Sequence, residues 1–225
     1  MRKVFGAVTI GQAPREDVTA EILQILGHDY HVLAAGALDG LALAEVGAMK
    51  PGPGDDVLVT RLADGTTVKV AERFIAPRVQ EKVNELFAQG MRLVVLLCTG
   101  KFPAFETSGL LLRPQELIYQ VAASLGRGLN VGVLCPTAAH IPQVTRQWAE
   151  LLDSSPTVCA ANPYEGVESV ILPARKLKEE GVELVVLDCI AYTLEMQKRI
   201  YDIVGVPVIL ARGLVASLVK ELTGT

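Results

Sequence analysis

The chain has 225 residues, 50% of them hydrophobic and 20% charged, with a net charge of −4. That usage belongs to a folded globular protein rather than a disordered one. The slight negative charge gives no pull toward nucleic acid or anionic lipid. No apolar run approaches the roughly 20 residues of a membrane-spanning helix.

Met1-Arg2-Lys3 before the apolar Val4 to Ile10 has the look of a secretory leader. Gly11, Gln12, Pro14 and Arg15 break that run without a cleavage site, so Lys3 to Ile10 reads as a first strand and the chain as cytoplasmic. Glu16 to Leu26 reads as a helix with Val18, Ile22, Leu23 and Leu26 on one face and Gly27 as its stop. His31 to Ala35 follows as a strand, and Asp39 to Val46 as a short helix. Val57 to Leu62 and Thr67 to Val70 flank Asp64-Gly65, a hairpin signal. Glu72 to Phe87 is helical. Arg92 to Leu97 is an apolar strand of the kind buried on both faces in a parallel sheet. A loop precedes a helix over Pro114 to Leu125. Strands at Asn130 to Leu134, Thr157 to Ala161, Glu183 to Leu187 and Val206 to Leu210 then alternate with helices. Those helices span Ala138 to Leu152, Val167 to Glu180, Thr193 to Val204 and Arg212 to Leu222.

Repeated strand–helix alternation predicts parallel sheets flanked by helices. The sequence GMRLVVLLCTG at 90–100 is echoed by GVELVVLDCIA at 181–191. Each has a glycine, an apolar strand and then a cysteine at the strand's carboxyl end, which predicts two similar α/β lobes. Their expected bounds are 1–100 and 101–205, with the last strand and helix, 206–225, returning to the first lobe.

Ligands of open α/β sheets bind beyond the carboxyl ends of the strands. The residues there are Gln12 and Arg15, Cys98 and Thr99, Cys135 and Thr137, Asn162, and Asp188 and Cys189. Two thiols in equivalent places beside an arginine, amides and hydroxyls suit a small anionic or carboxylate ligand. One thiolate can take a proton from a carbon next to a carbonyl while the second thiol delivers one to the opposite face. Arg15 can offer a bidentate fork to a carboxylate. The cysteine in the middle of a strand, Cys159, reads as core, and Glu16 and Asp17 as residues suited to a helix N-terminus. No metal site is expected: the cysteines form no C-x-x-C pair, and His28 and His31 lack partners at ligand spacing. No cofactor is expected either, since G-x-G-x-x-G and phosphate-loop patterns are both missing. The high apolar fraction is compatible with a homodimer.

Five segments carry a family resemblance: VTIGQAPRED at 8–17, VLLCTGKF at 95–102, NVGVLCP at 130–136, ANPYEG at 161–166 and VVLDCIAYT at 185–193. In this order they resemble the AroM family, which is similar to the aspartate/glutamate racemase superfamily. The resemblance implies two α/β lobes with a cleft between them and cofactor-independent chemistry by two cysteines. The superfamily includes amino-acid and hydantoin racemases, maleate isomerase and arylmalonate decarboxylase. By position, Cys98 and Cys189 match the two catalytic thiols, Thr99 a carboxylate-holding position, and Cys135 and Thr137 a carboxylate loop. Where amino-acid racemases often show Cys-Asn-Thr and Gly-Cys-Thr, this chain has Cys-Thr-Gly and Asp-Cys-Ile. Where their first strand often ends in Asp-Ser, this one ends in Gly-Gln. The resemblance thus implies the two-thiol machinery more than amino-group recognition. A non-catalytic binder that keeps the fold, and a lyase using one cysteine, are the alternatives.

Overall fold

The computed structural model describes residues 3–224, so Met1, Arg2 and Thr225 lie outside the described residues. The chain forms two compact units. The first runs to Arg113 and takes in Thr223 and Gly224, and the second spans Pro114–Leu222.

The first unit contains β1 (Lys3–Thr9), α1 (Glu16–Leu26), β2 (Tyr30–Gly36), α2 (Leu43–Gly47), β3 (Val57–Arg61), β4 (Thr67–Ala71), α3 (Glu72–Ala88), β5 (Leu93–Leu96) and β6 (Leu110–Leu112). Its main sheet has the order β2-β1-β5-β6, with every pairing parallel. The pair β3 and β4 forms a separate antiparallel hairpin. All four residues of β5 are buried. The apolar stripe of α3, Ile75, Val79, Val83 and Leu86, belongs to the same core as Val8 and Val94 of the sheet. As expected, α1 ends at Gly27, whose φ of 98° a side chain rarely adopts.

The second unit contains α4 (Pro114–Gly126), β7 (Val131–Cys135), α5 (Ile141–Leu152), β8 (Thr157–Ala160), α6 (Ile171–Glu179), β9 (Leu184–Leu187), α7 (Leu194–Val204), β10 (Val208–Leu210) and α8 (Ala211–Thr223). Its sheet has the order β10-β9-β7-β8, again all parallel. Read from the other side, that is β8-β7-β9-β10, the same topology as β2-β1-β5-β6. The two LVVL strands, β5 and β9, are therefore equivalent, each wholly buried and each running into a cysteine.

Two boundary expectations are corrected. The first unit extends to Arg113 rather than residue 100, because Leu110–Leu112 adds a fourth strand to β5. The segment 206–225 does not return to the first unit. Val208, Ile209 and Leu210 pair with Val185, Val186 and Leu187, completing the free edge of β9. Only the end of the chain rejoins the first unit, where the Thr223 hydroxyl lies 2.8 Å from the Tyr30 hydroxyl and the Gly224 carbonyl accepts from Lys3 Nζ. No helix among the described residues is long and apolar enough to cross a membrane.

Candidate functional site

In the first unit β1 and β5 are adjacent, so their carboxyl ends bring together the Gly11–Arg15 loop and the Cys98–Gly100 loop. Cys98 is buried, with 9% of its surface exposed. Its sulfur accepts the N–H of Gly100 at 3.2 Å. Space at Gly100 is tight: a Cβ would lie 2.5 Å from Leu58 Cδ2, which would have to shift, and 3.3 Å from the Cys98 sulfur. The loop thus folds tightly enough to aim an amide at the thiol. A hydrogen bond donated to sulfur favours the thiolate. Thr99 is half-buried, and no partner of its hydroxyl is found among the described residues.

Gln12 and Arg15 are placed differently from the ligand-binding roles expected of them. The Gln12 amide donates to the carbonyls of Leu38 and Leu41 at 3.1 and 2.9 Å and accepts from Ala63 N–H at 2.8 Å. It clamps the turn after β2 to the β3–β4 hairpin, which consumes both of its N–H groups. Arg15 is buried, and its Nε and Nη2 grip Asp17 at 2.8 and 2.7 Å while Nη1 reaches Thr60 at 3.3 Å. Its fork faces its own helix's first turn. Asp39, at the end of β2, accepts the N–H groups of Gly36 and Ala13 at 2.7 and 2.8 Å and so fixes the neighbouring loop. A surface cavity of about 700 Å³ between α1 and β2 borders Ala13, Pro14 and Asp39 but none of the thiols.

In the second unit the ends of β7 and β9 are adjacent, which sets Cys135 beside Asp188 and Cys189. The Cys135 thiol donates to the Thr137 carbonyl at 3.5 Å. Burial, reinforced by the Asp188 charge, pushes it up to about 12. Cys135 therefore stays protonated at any physiological pH. Asp188 is 6% exposed, and its Oδ2 accepts the indole N–H of Trp148 at 2.8 Å. Trp148 stacks at a tilt on Tyr119, with ring centroids 4.5 Å apart. Burial, then the same carboxylate, holds the Tyr119 hydroxyl far above the usual tyrosine range. Burial likewise raises the thiol of Cys159, which is core as expected.

Thr137 bonds His140 Nδ1 at 2.8 Å, and His140 is buried. Asn162 caps the turn Pro163–Glu165, accepting from Tyr164 N–H and donating to Glu165 at 2.8 Å, so its amide serves the loop. Tyr192, fully buried, donates to the Ala161 carbonyl at 2.6 Å. Arg212 is also fully buried and donates twice to the Ile190 carbonyl.

Of the expected residues, Cys98 and Thr99 share one strand end, and Cys135, Thr137, Asp188 and Cys189 lie together at two adjacent ones. Gln12, Arg15 and Asn162 work as loop clamps. Trp148, His140 and Arg212 enter the second group from helices. Arg212 follows the apolar run ending at Leu210, so the strand-end rule applied to the last strand would have found it. Trp148 lies mid-helix and leaves no such signal.

Residues 5–223 match the family model of the AroM protein. No curated protein is matched by the sequence. Among solved structures, Nocardia farcinica maleate cis-trans isomerase bound to TRIS is similar with a TM-score of 0.65 at 15% identity, over 99% of this chain and 92% of the other. An arylmalonate decarboxylase gives 0.64 at 14% identity, over 99% and 93%. Picrophilus torridus aspartate racemase gives 0.62 at 13% identity, over 99% and 94%. The chain therefore has the aspartate/glutamate racemase-like fold.

Proposed function

The chain belongs to the AroM family, and we propose that it is a cofactor-independent racemase, isomerase or related lyase of a small carboxylate or cyclic amide. The observation that carries this reading is the pair Cys98 and Cys189, each following the equivalent wholly buried LVVL strand of its unit. Cys98, whose sulfur accepts the Gly100 N–H, is the base. Its thiolate takes a proton from the carbon next to the substrate carbonyl, leaving an enolate. Cys189, which follows the buried Asp188 carboxylate, is the acid and returns a proton to that carbon from the other face. The negative charge passes from the first sulfur to the substrate and then to the second sulfur, so no metal or organic cofactor is needed. Thr99 and Thr137 supply hydroxyls for the substrate carboxylate. Four free thiols suit a reducing compartment, and the cytoplasm is the location we assign.

The binder alternative gains from one finding: the polar groups of Gln12, Arg15 and Asn162 are engaged in holding loops of the protein itself. Incubation in D₂O with a panel of chiral carboxylates, amino acids and hydantoins separates the readings. Proton NMR follows loss of the Cα–H signal in the wild type, Cys98→Ala and Cys189→Ala. Exchange that needs both cysteines supports the two-thiol enzyme, and exchange that needs one supports a lyase. Ligand-raised melting temperatures without any exchange would leave the binder.

A further inference from the structure

We propose that Arg212 is the positioning residue of Cys189, an assignment that rests on the catalytic reading of that thiol. Arg212 is the second residue of α8, which follows β10 directly, and it has no exposed surface. Its Nε and Nη2 both donate to the Ile190 carbonyl oxygen, at 3.0 and 2.9 Å. A guanidinium is costly to bury, and an apolar side chain would fill the same space without that cost. What the guanidinium adds there is a hold on one carbonyl by two N–H groups of a rigid plane.

Ile190 is the residue after Cys189, so fixing its carbonyl fixes the Ile190–Ala191 peptide plane, the central one of the turn that starts at the thiol-bearing residue. The rest of the loop is held by other means. Asp188 is tied by its N–H to the Leu134 carbonyl at 2.9 Å and by its carboxylate to Trp148. Tyr192 is tied by its N–H to the Cys189 carbonyl at 3.3 Å and by its hydroxyl to Ala161. Between those anchors the Arg212 grip sets the Ile190–Ala191 peptide. Since β10 and α8 belong to the second unit, this placement also explains what the last strand–helix pair contributes, which is a cation delivered beneath the β9 loop. Lysine would supply a single donor head on a flexible stem and so restore part of the grip.

The test is peptide-resolved alkylation of the full chain with iodoacetamide, comparing wild type, Arg212→Ala and Arg212→Lys. Arg212→Ala is also measured with guanidinium added well below denaturing concentration. The readout is the rate at Cys189 divided by the rate at Cys159, a buried thiol of the same unit that reports general loosening. A bond from a charged donor is of a size to change that ratio by about tenfold. Arg212→Ala is expected to change it so, Arg212→Lys to fall between, and guanidinium to bring it back. An unchanged ratio, or Cys189 and Cys159 rising together, overturns the assignment and leaves Arg212 as a support of the fold. Should the alanine variant fail to fold, the lysine variant decides by the same ratio. Alkylation needs no substrate. A silent NMR panel with a shifted ratio would therefore sink the enzyme while leaving the positioning contact standing.

Discussion

Serine at position 135 keeps a hydroxyl able to donate to the Thr137 carbonyl and removes the thiol that titrates. Cys135 is held at about 12 against an ordinary value of 9.0, by burial first and the Asp188 charge second. Well below pH 9 both folded and unfolded states hold the proton, so the stabilising effect of the raised value is fully present there. Above it the unfolded thiol ionises while the folded one does not, so the unfolded state binds fewer protons and stability falls. The slope is about 1.4 kcal/mol per pH unit, reaching a loss of about 2 kcal/mol near pH 10.5. The Cys135→Ser protein lacks this term. The assay is urea unfolding across that range, followed by the fluorescence of the single tryptophan. Trp148 is fully buried and bonded to Asp188, so it reports on the unit in question. The difference between wild type and Cys135→Ser should be flat up to about pH 8.5 and then move by about 2 kcal/mol in favour of serine. A difference independent of pH would mean that the thiol ionises as freely when folded, and would refute the electrostatic reading of this strand end.

Glu72 is pushed up by burial and then by the Asp56 charge, and its Oε1 is buried with no partner among the described residues. A raised carboxyl contributes stability below its unfolded value and loses it as pH rises through the folded value. Glu72→Gln should therefore raise the melting temperature at neutral pH and change little in mild acid; thermal melts at both conditions check this, and a fall at neutral pH would contradict it. A Cβ on Gly36 would lie within 2.6 Å of the Ala13 nitrogen and the Gly11 carbonyl oxygen. Gly36→Ala is expected to cost about 1–3 kcal/mol in chemical denaturation. Gln12→Ala removes three hydrogen bonds between loops and should cost about 2–4 kcal/mol; a loss below half of the lower figure would show that the clamp is dispensable.

Much of this architecture is legible because burial on both faces leaves a signature. LVVL at 93–96 and 184–187 has no polar residue to give it a solvent face, so it reads as the centre of a parallel sheet. Leu110–Leu112 carries no such pattern. It is a three-residue strand with partly exposed side chains, recognisable only by its pairing with β5. The helix foreseen from Ala138 begins at Ile141 after a tighter turn over Ala138–His140, with Pro142 in its first turn. The return of 206–225 to the first unit failed because strand pairing is decided by which edge is open, and β9 offered one.

At the site, residue type at a strand end was readable but its partner was not. The Gln12 amide meets Ala63, and Arg15 meets Thr60, on a hairpin more than forty residues away. Those contacts depend on how the hairpin packs, which no local pattern records. The Arg15–Asp17 pair is the exception. Two residues apart, it could have been suspected, since an arginine with a carboxylate so near has a ready partner.

The strand ends that carry Cys98 and Cys135 differ in what they do to sulfur, and Asp188→Asn tests the cause. Cys98 receives an N–H, whereas Cys135 gives its proton to a carbonyl and stands beside a buried carboxylate. Asparagine at 188 keeps an oxygen to accept the Trp148 N–H while deleting the charge, so packing is conserved and electrostatics is not. Burial is the larger cause of the Cys135 shift and survives the change. Its ionisation should therefore fall below about 12 without returning to 9.0. Thiolate absorbance in alkaline titration, with Cys135→Ser as the control for assignment, measures that movement. Asp188→Asn, which removes the charge next to Cys189 in the chain, should also speed alkylation of Cys189 near neutral pH and leave Cys98 unchanged. No change in either titration or labelling would mean that Asp188 carries no charge in the native protein. The Trp148 contact would then join two neutral groups, and the division of labour between the two thiols would lose its electrostatic basis.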